Sequence, residues 1–333
     1  METLAEWIDW LYMPLGRFTH PGERFFYPCF IISLLLAMWV YRGKFFKKNM
    51  KNLWQKELWW NASTKLDYKL FYFTPHIVGI LWLPVFITLQ IDIVRFIDKA
   101  ILFLFGPIDT SFWPAWLVTA LYSIVLFCAL DFSRFLMHYA MHRYEPLWQL
   151  HRLHHTATTL NPFTVFRFHP LEILMVKFRN LAVISLVTGI FQSLFPAQLS
   201  VWLILGAYTF DFIFNHTGAI LRHSPVPLKY PDFMEKFIMS PVQHQMHHSS
   251  DEAHYNANYG VVLSFWDTLF GTVKLSPKED VKLRYGVIED GKLVEDHRFL
   301  FNLYRPIGQI KDFLARIITA AFYLPAKWRR SNE

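Results

Sequence analysis

The stretch HYAMHRYEPLWQLHRLHH, residues 138–155, decides how this chain is read. It holds a histidine pair spaced i, i+4, His138 and His142, and then a His-x-x-His-His box, His151, His154 and His155. A second copy of the box comes later, at His244, His247 and His248. Histidine accounts for 15 of 333 residues, and at that frequency random placement gives roughly 0.03 copies of the box per chain. Two copies are therefore a built feature. Neutral imidazole is the commonest protein metal ligand near neutral pH and suits iron, zinc, copper and nickel. Eight imidazoles in three clusters exceed what one ion takes, so the pattern predicts two metal ions.

The flanks of this stretch are apolar. The chain is 53% hydrophobic and 18% aromatic, with mean hydropathy +0.22, and only 18% of it is charged, against about 25% in ordinary soluble proteins. That balance predicts an integral membrane protein. The net charge of +7 is carried in short runs beside apolar segments rather than in one broad stripe. It reads as topology information and excludes a nucleic-acid partner. Cys29 and Cys128 both fall in apolar stretches and read as buried small hydrophobes. With no Cys-x-x-Cys the metal ligands are not thiolates, and the absence of stapling fits a site facing a reducing compartment.

Four apolar regions are legible. The first, about residues 25–41, is followed by Arg42, Lys44, Lys47, Lys48 and Lys51, which places that end on the cytoplasmic side. The second covers about 70–94 and the third about 112–132, with Pro107, Asp109 and Pro114 between them. The fourth, about 181–214 and broken near Pro196, is long enough for two short crossings or a re-entrant hairpin. Followed through, this topology puts every histidine cluster on one face, the cytoplasmic one. Residues 1–19 read as an interfacial amphipathic lead-in, and Phe299 to Ala326 as an interfacial helix. The expected fold is an all-α integral membrane protein with four to five transmembrane or re-entrant helices. A cytoplasmic helical cap holds the dinuclear metal site. One membrane domain spans residues 1–333, with the catalytic core at about 132–272 and a C-terminal interfacial segment at about 273–333. The expected host is a bacterial inner membrane, with the endoplasmic reticulum as the alternative.

The spacing explains the ligands. Residues i and i+4 lie one helical turn apart on one face, and i+3 lies close to both. Each box can thus aim two or three imidazoles at a point beyond a helix end, as in the metal centres of helical bundles. His216 follows the fourth apolar region on the same face and joins the candidate ligands. His223, His169 and Asp211 are candidates for further ligands or supporting groups, and Glu172, Asp251 and Asp267 could also orient ligands from behind. All-nitrogen ligation excludes magnesium and calcium. Structural zinc would stop at four ligands, whereas nine imidazoles over two ions leave open positions suited to iron and O2. His-Glu-x-x-His is absent, which argues against a zinc protease.

The order His138-x-x-x-His142, His151-x-x-His154-His155, Asn215-His216, His244-x-x-His247-His248 resembles the fatty acid hydroxylase and sterol desaturase superfamily. Asn258-Tyr259-Gly260, Trp266-Asp267 and Gly271-Thr272 resemble its usual continuation, closest in look to the alkylglycerol monooxygenase-like and bacterial lipid hydroxylase branch. Phe212 and Ile220 stand where fatty acid 2-hydroxylases usually carry a second mid-chain histidine. The resemblance implies a non-haem di-iron centre using O2 as co-substrate to hydroxylate a C–H bond of a membrane lipid. Its ligands by carry-over are His138, His142, His151, His154, His155, His216, His244, His247 and His248. The alternatives are a lipid or sterol desaturase with the same centre and, outside enzymes, a membrane metal transporter. Electrons would come from an external cytochrome, ferredoxin or rubredoxin, since no Gly-x-Gly-x-x-Gly or haem module is present.

Overall fold

Proline and glycine punctuate this chain and set its helices. The structure, a computed structural model, describes residues 10–43, 45–196, 198–204, 207–279 and 282–330. Most of the expected charge pattern of the N-terminal lead-in (residues 1–9) and Lys44 lie outside the described residues.

Helix α1, Tyr27–Val40, opens with Pro28 in its first turn, where a missing N–H costs nothing. Helix α2, Ala62–Phe105, starts at an Asn61 cap whose side chain accepts from Thr64 N at 2.8 Å. It ends at Gly106, whose φ of +70° suits glycine. Helix α3, Ala115–Arg143, starts behind Pro114, and α4, Glu145–His155, follows after the single residue Tyr144. Helix α5, Pro170–Leu194, begins on His169, whose Nδ1 accepts from Leu171 N. A small antiparallel pair, Leu203–Ile204 with Ala207–Tyr208, leads into α6, Thr209–His216. A 3-10 turn, Ala219–His223, follows Gly218 at φ +96°. Helix α7, Pro241–His247, carries a Ser240–Gln243 capping box. Helix α8 is Phe265–Phe270 and α9 is Phe299–Arg330.

Among the described residues α3 and α5 are long and apolar enough to cross a membrane. At about 1.5 Å per residue, each exceeds the roughly 30 Å of a hydrocarbon core. Trp116, Leu121, Ile124 and Val125 on α3, and Phe178 and Leu186 on α5, are exposed. An outward row of large apolar side chains fits contact with lipid better than with water.

Helices α2 and α3 both pack against α5, and α4 packs against α3. The α2–α5 approach is tight: a Cβ at Gly189 would lie 2.7 Å from the Ile97 side chain. Leu66 and Leu70 of α2 pack with Leu153 of α4 and with Phe299 and Leu303 of α9. Below them Arg167, fully buried, bonds Asp67 at 2.8 Å. This frame fixes α4, and with it the first histidine box.

The elements differ from the sequence expectation in three places. The third apolar segment does not end near residue 132 but continues as one helix to Arg143, carrying His138 and His142 in its last turns. The fourth region begins earlier, at Pro170, and its second leg is only the eight-residue α6. A helix of that length is about 12 Å long and does not cross a bilayer. The second segment lies inside the 44-residue α2, which at about 66 Å is far longer than one crossing requires.

Candidate metal centre

Nine imidazoles meet where α3, α4, α7 and the turn at His223 come together. They form two groups. In the first are His138 and His142 of α3, His151 and His155 of α4, and His247 of α7. In the second are His154 of α4, His223 of the 3-10 turn, and His244 and His248 at the end of α7. Within each group one ring nitrogen from each histidine lies within 4.8 Å of the corresponding nitrogen of every other. The groups share a wall, since the His155 and His248 rings stack with centroids 4.6 Å apart.

Each box is divided between the two groups. The i and i+4 members of the first box, His151 and His155, go to the first group, and its i+3 member, His154, goes to the second. In the later box the arrangement is reversed: His244 and His248 stay together while His247 crosses over. At 3.6 residues per turn, i+4 lies about 40° beyond i and i+3 about 60° short of it. The two adjacent histidines therefore point about 100° apart. One box cannot serve a single point with all three rings, and it bridges two points instead.

The backs of the rings are held. Nδ1 of His151 lies 2.7 Å from Oε1 of Glu172. Nδ1–H of His138 donates to the Tyr259 carbonyl at 2.7 Å, and that of His247 to the Ala257 carbonyl at 2.8 Å. Donation from Nδ1 leaves Nε2 as a lone-pair nitrogen turned inward.

The Tyr259 carbonyl is itself fixed. Asp267 Oδ1 accepts from Tyr259 N and Thr272 Oγ1, and Oδ2 accepts from Gly260 N, all at 2.7–2.8 Å. Asn258, at φ +60°, donates from Nδ2 to Gln243 O and Lys274 O and accepts from Lys274 N. Gly260 has no room for a side chain, because a Cβ there would lie 2.5 Å from Leu263 O. Asp131 accepts from Val262 N, Leu263 N and the Trp266 indole, so α3 grips the same loop.

Burial holds His154, His155, His244 and His248 well below the ordinary histidine range, with neighbouring imidazoles adding to the effect. His247 is pushed down to about 3, chiefly by burial. For His223 burial acts first, and the Arg24 and Arg222 charges add to it.

Such a set fits metal ions. Buried Nε2 atoms of His138, His142 and His247 have no hydrogen-bond partner among the described residues. In the second group Nε2 of His223, His244 and His248 form a triangle with sides of 3.1–3.2 Å. Three neutral imidazoles cannot satisfy such a triangle with protons alone. Nitrogens about 2.0–2.1 Å from a common ion, with bonds meeting near 90–109°, stand about 2.8–3.4 Å apart.

The structure brings together eight of the nine ligands expected from sequence: His138, His142, His151, His154, His155, His244, His247 and His248. It does not bring His216. That ring's Nδ1 bonds Phe212 O at 2.8 Å, and the ring lies 3.7–3.8 Å from Cys29 Sγ, in neither group. His223 stands in the second group instead. His169 caps α5 and bonds Leu303 O, and Asp211 pairs with Arg134 at 3.0 Å; neither reaches a histidine group. Of the other carboxylates, Glu172 supports His151, Asp267 supports the His138 loop, and Asp251 caps a surface turn. The sequence signal for His223 is Gly218, whose positive φ turns the chain back toward α7 after α6.

A cavity of about 830 Å³ opens beside both groups, reaching His138, His151, His154, His223 and His244. Leu70, Phe71, Met141, Phe168, Ile173 and Val176 give it an apolar wall.

Residues 123–272 match the fatty acid hydroxylase family. Among curated proteins the chain is 31% identical to an ornithine lipid hydroxylase of Rhizobium tropici, over 51% of this chain and 46% of that one. It is 24% identical to the alkylglycerol monooxygenase of Homo sapiens, over 48% and 32%. It is 28% identical to a Delta(7)-sterol-C5(6)-desaturase of Nicotiana tabacum, over 50% and 55%. The chain spans about half or less of the length of these relatives. No solved structure is significantly similar to it.

Proposed function

We propose, from the match of residues 123–272 to the fatty acid hydroxylase family, that this protein is a membrane-bound di-iron oxygenase that hydroxylates a C–H bond of a lipid with O2. The observation that carries the reading is the pairing of two largely buried histidine groups with a mostly apolar cavity opening onto both. In this reading His138, His142, His151, His155 and His247 hold one iron, and His154, His223, His244 and His248 the other. His216 is left out of the set.

Iron in such a pair supplies the redox chemistry that activates O2 toward an unreactive C–H bond. The remaining work belongs to this chain. Glu172, Tyr259 O and Ala257 O fix ring tautomers, so that the inward nitrogens present lone pairs without rearrangement. Burial excludes bulk water from the centre and keeps the rings from competing protons. The apolar wall holds the lipid chain and sets which carbon faces the histidines. The relatives include both hydroxylases and desaturases, and hydroxylation is the reading favoured by the most similar of the three described above.

The reading extends to the whole chain as one membrane domain, with α1, α2, α3 and α5 as its membrane part and α4, α7 and α9 as the cap. In this reading the centre faces the cytoplasm of a bacterial inner membrane, and the exposed Lys47, Lys48 and Lys51 after α1 support that side. Electrons come from a separate donor, and the same basic face suits an acidic one.

The test is lipid mass spectrometry of a host expressing the chain under 18O2, beside a His154→Ala control. A lipid that gains one labelled oxygen only with the intact chain supports hydroxylation. Loss of two hydrogens makes the protein a desaturase. Unchanged lipids in cells containing the iron-loaded protein and a supplied donor would sink both.

A further inference from the structure

The cavity beside the histidine groups carries a charge imbalance. Arg17, Arg24, Arg134, Arg179 and Arg222 line it, against the carboxylates Glu23, Glu172 and Asp211. Two of those carboxylates are engaged elsewhere: Glu172 holds His151, and Asp211 closes the charge of Arg134 at 3.0 Å. Four guanidiniums then remain on the lining against Glu23, with Asp131 behind the wall as a further carboxylate that is already bonded to Val262 N, Leu263 N and Trp266.

Several of these cations are only partly satisfied by the protein. Arg222 is 2% exposed and lies over the Phe214 ring, but its Nε has no partner among the described residues and its Nη2 reaches Met239 O only at 3.5 Å. Arg179 donates from Nη2 to Asn180 Oδ1, while its buried Nε is without a partner among the described residues. Arg17 lies over the Phe166 ring at 4.5 Å. Burying cations without counter-charge is costly, and arginines on membrane-length helices that face an interior cavity point to function. Arg134 and Arg179 lie on such helices.

The cationic wall stands next to the centre. Arg134 precedes His138 by one helical turn on α3, and Arg179 follows Glu172 by two turns on α5, about 6 and 10 Å along those axes. Arg222 directly precedes His223.

We propose that the lipid taken into this cavity carries a carboxylate or phosphate at its polar end, and that this anion seats on Arg24, Arg179 and Arg222 while the chain runs along the apolar wall. The proposal rests on the reading of the centre as a lipid oxygenase and narrows its substrate class to anionic amphiphiles. Guanidinium recognises both oxyanions through paired N–H donors. An uncharged alcohol or glycerol headgroup would leave the same guanidiniums without counter-charge.

Binding to the full metal-loaded chain in neutral detergent, without O2, tests this apart from catalysis. Lysophosphatidate is compared with monoacylglycerol of the same chain, and palmitate with hexadecanol. At least one anion is expected to bind about tenfold or more tightly than its uncharged partner, the difference made by a charged hydrogen bond. Arg24→Gln should remove that preference without weakening the uncharged lipid, and Arg24→Lys should keep most of it. Equal affinity within both pairs overturns the proposal. So does an Arg24→Gln variant that weakens charged and uncharged lipids alike, or inorganic phosphate that binds as tightly as lysophosphatidate. Because no oxygen is present, a protein that binds anions but oxidises nothing would sink the oxygenase reading alone. One that oxidises lipid without preferring anions would sink this proposal alone.

Discussion

Nδ1 of His151 and Oε1 of Glu172 stand 2.7 Å apart, both side chains buried, and this bond joins the first histidine box to a membrane-length helix. It fixes the ring on the first group without adding a ligand. Carboxylates behind metal-bound histidines typically account for 10–100-fold in metal affinity. Glu172→Ala is therefore expected to lower metal retention by about that factor, measured as metal content after a graded chelator challenge. Glu172→Gln keeps an acceptor oxygen and should lose less. Equal retention in wild type and Glu172→Ala would show that the bond orients nothing.

His223 and His216 are separated by seven positions, yet only His223 reaches a histidine group. His223→Ala is expected to leave close to one tightly held metal per chain, while His216→Ala keeps both. Metal analysis of the purified variants decides this. The opposite pattern would restore the assignment read from sequence and remove His223 from the centre.

That exchange shows what the linear sequence carried. Helical spacing is a local property, so the pairs at His138/His142, His151/His155 and His244/His248 could be read directly. The long apolar runs also announced α3 and α5. Sequence favours His216 because it closes an apolar segment on the histidine face, but α6 is too short to cross, and its end sits against Cys29 rather than the centre. His223 belongs to a 3-10 turn with no periodic pattern, and only the packing of that turn on α7 brings it in. The split of each box between two groups follows from helical angle and was available in principle. Which member crosses over depends on how α4 and α7 face each other, a non-local fact. Glu172 was one carboxylate among several for the same reason.

The Asn258–Gly260 loop makes a stability prediction. A Cβ on Gly260 would lie 2.5 Å from Leu263 O and 2.8 Å from Asp267 Oδ2; Leu263 is held through its N–H by Asp131, and Asp267 by Tyr259 N, Gly260 N and Thr272. Gly260→Ala must displace the Asp267 staple, and with it the Tyr259 carbonyl that fixes His138. A cost of about 1–3 kcal/mol is expected from the overpacking, together with weakened metal binding. Thermal unfolding in detergent measures the first and chelator challenge the second. A variant with wild-type midpoint and metal content would show that the loop is free to move.

Acid should act on this protein mainly through its neutral histidines. Burial holds His247 near 3 and keeps His154, His155, His244 and His248 well below their ordinary range. In the unfolded chain these rings take up protons as pH falls through about 6.5. The folded state then binds fewer protons than the unfolded one, so stability rises with pH in that window and falls on acidification. Each such ring contributes at most about 1.4 kcal/mol per pH unit between its folded and unfolded pKa values. For the metal-free protein the unfolding midpoint should be flat from about pH 8 to 7 and drop steeply below about 6.5. Metal-loaded protein should hold its midpoint to lower pH, because ions bound to the folded state add stability that proton uptake must first overcome. A metal-free midpoint unchanged between pH 7 and 5 would mean that these rings are solvated and charged in the folded protein, and the centre would not be the closed one described.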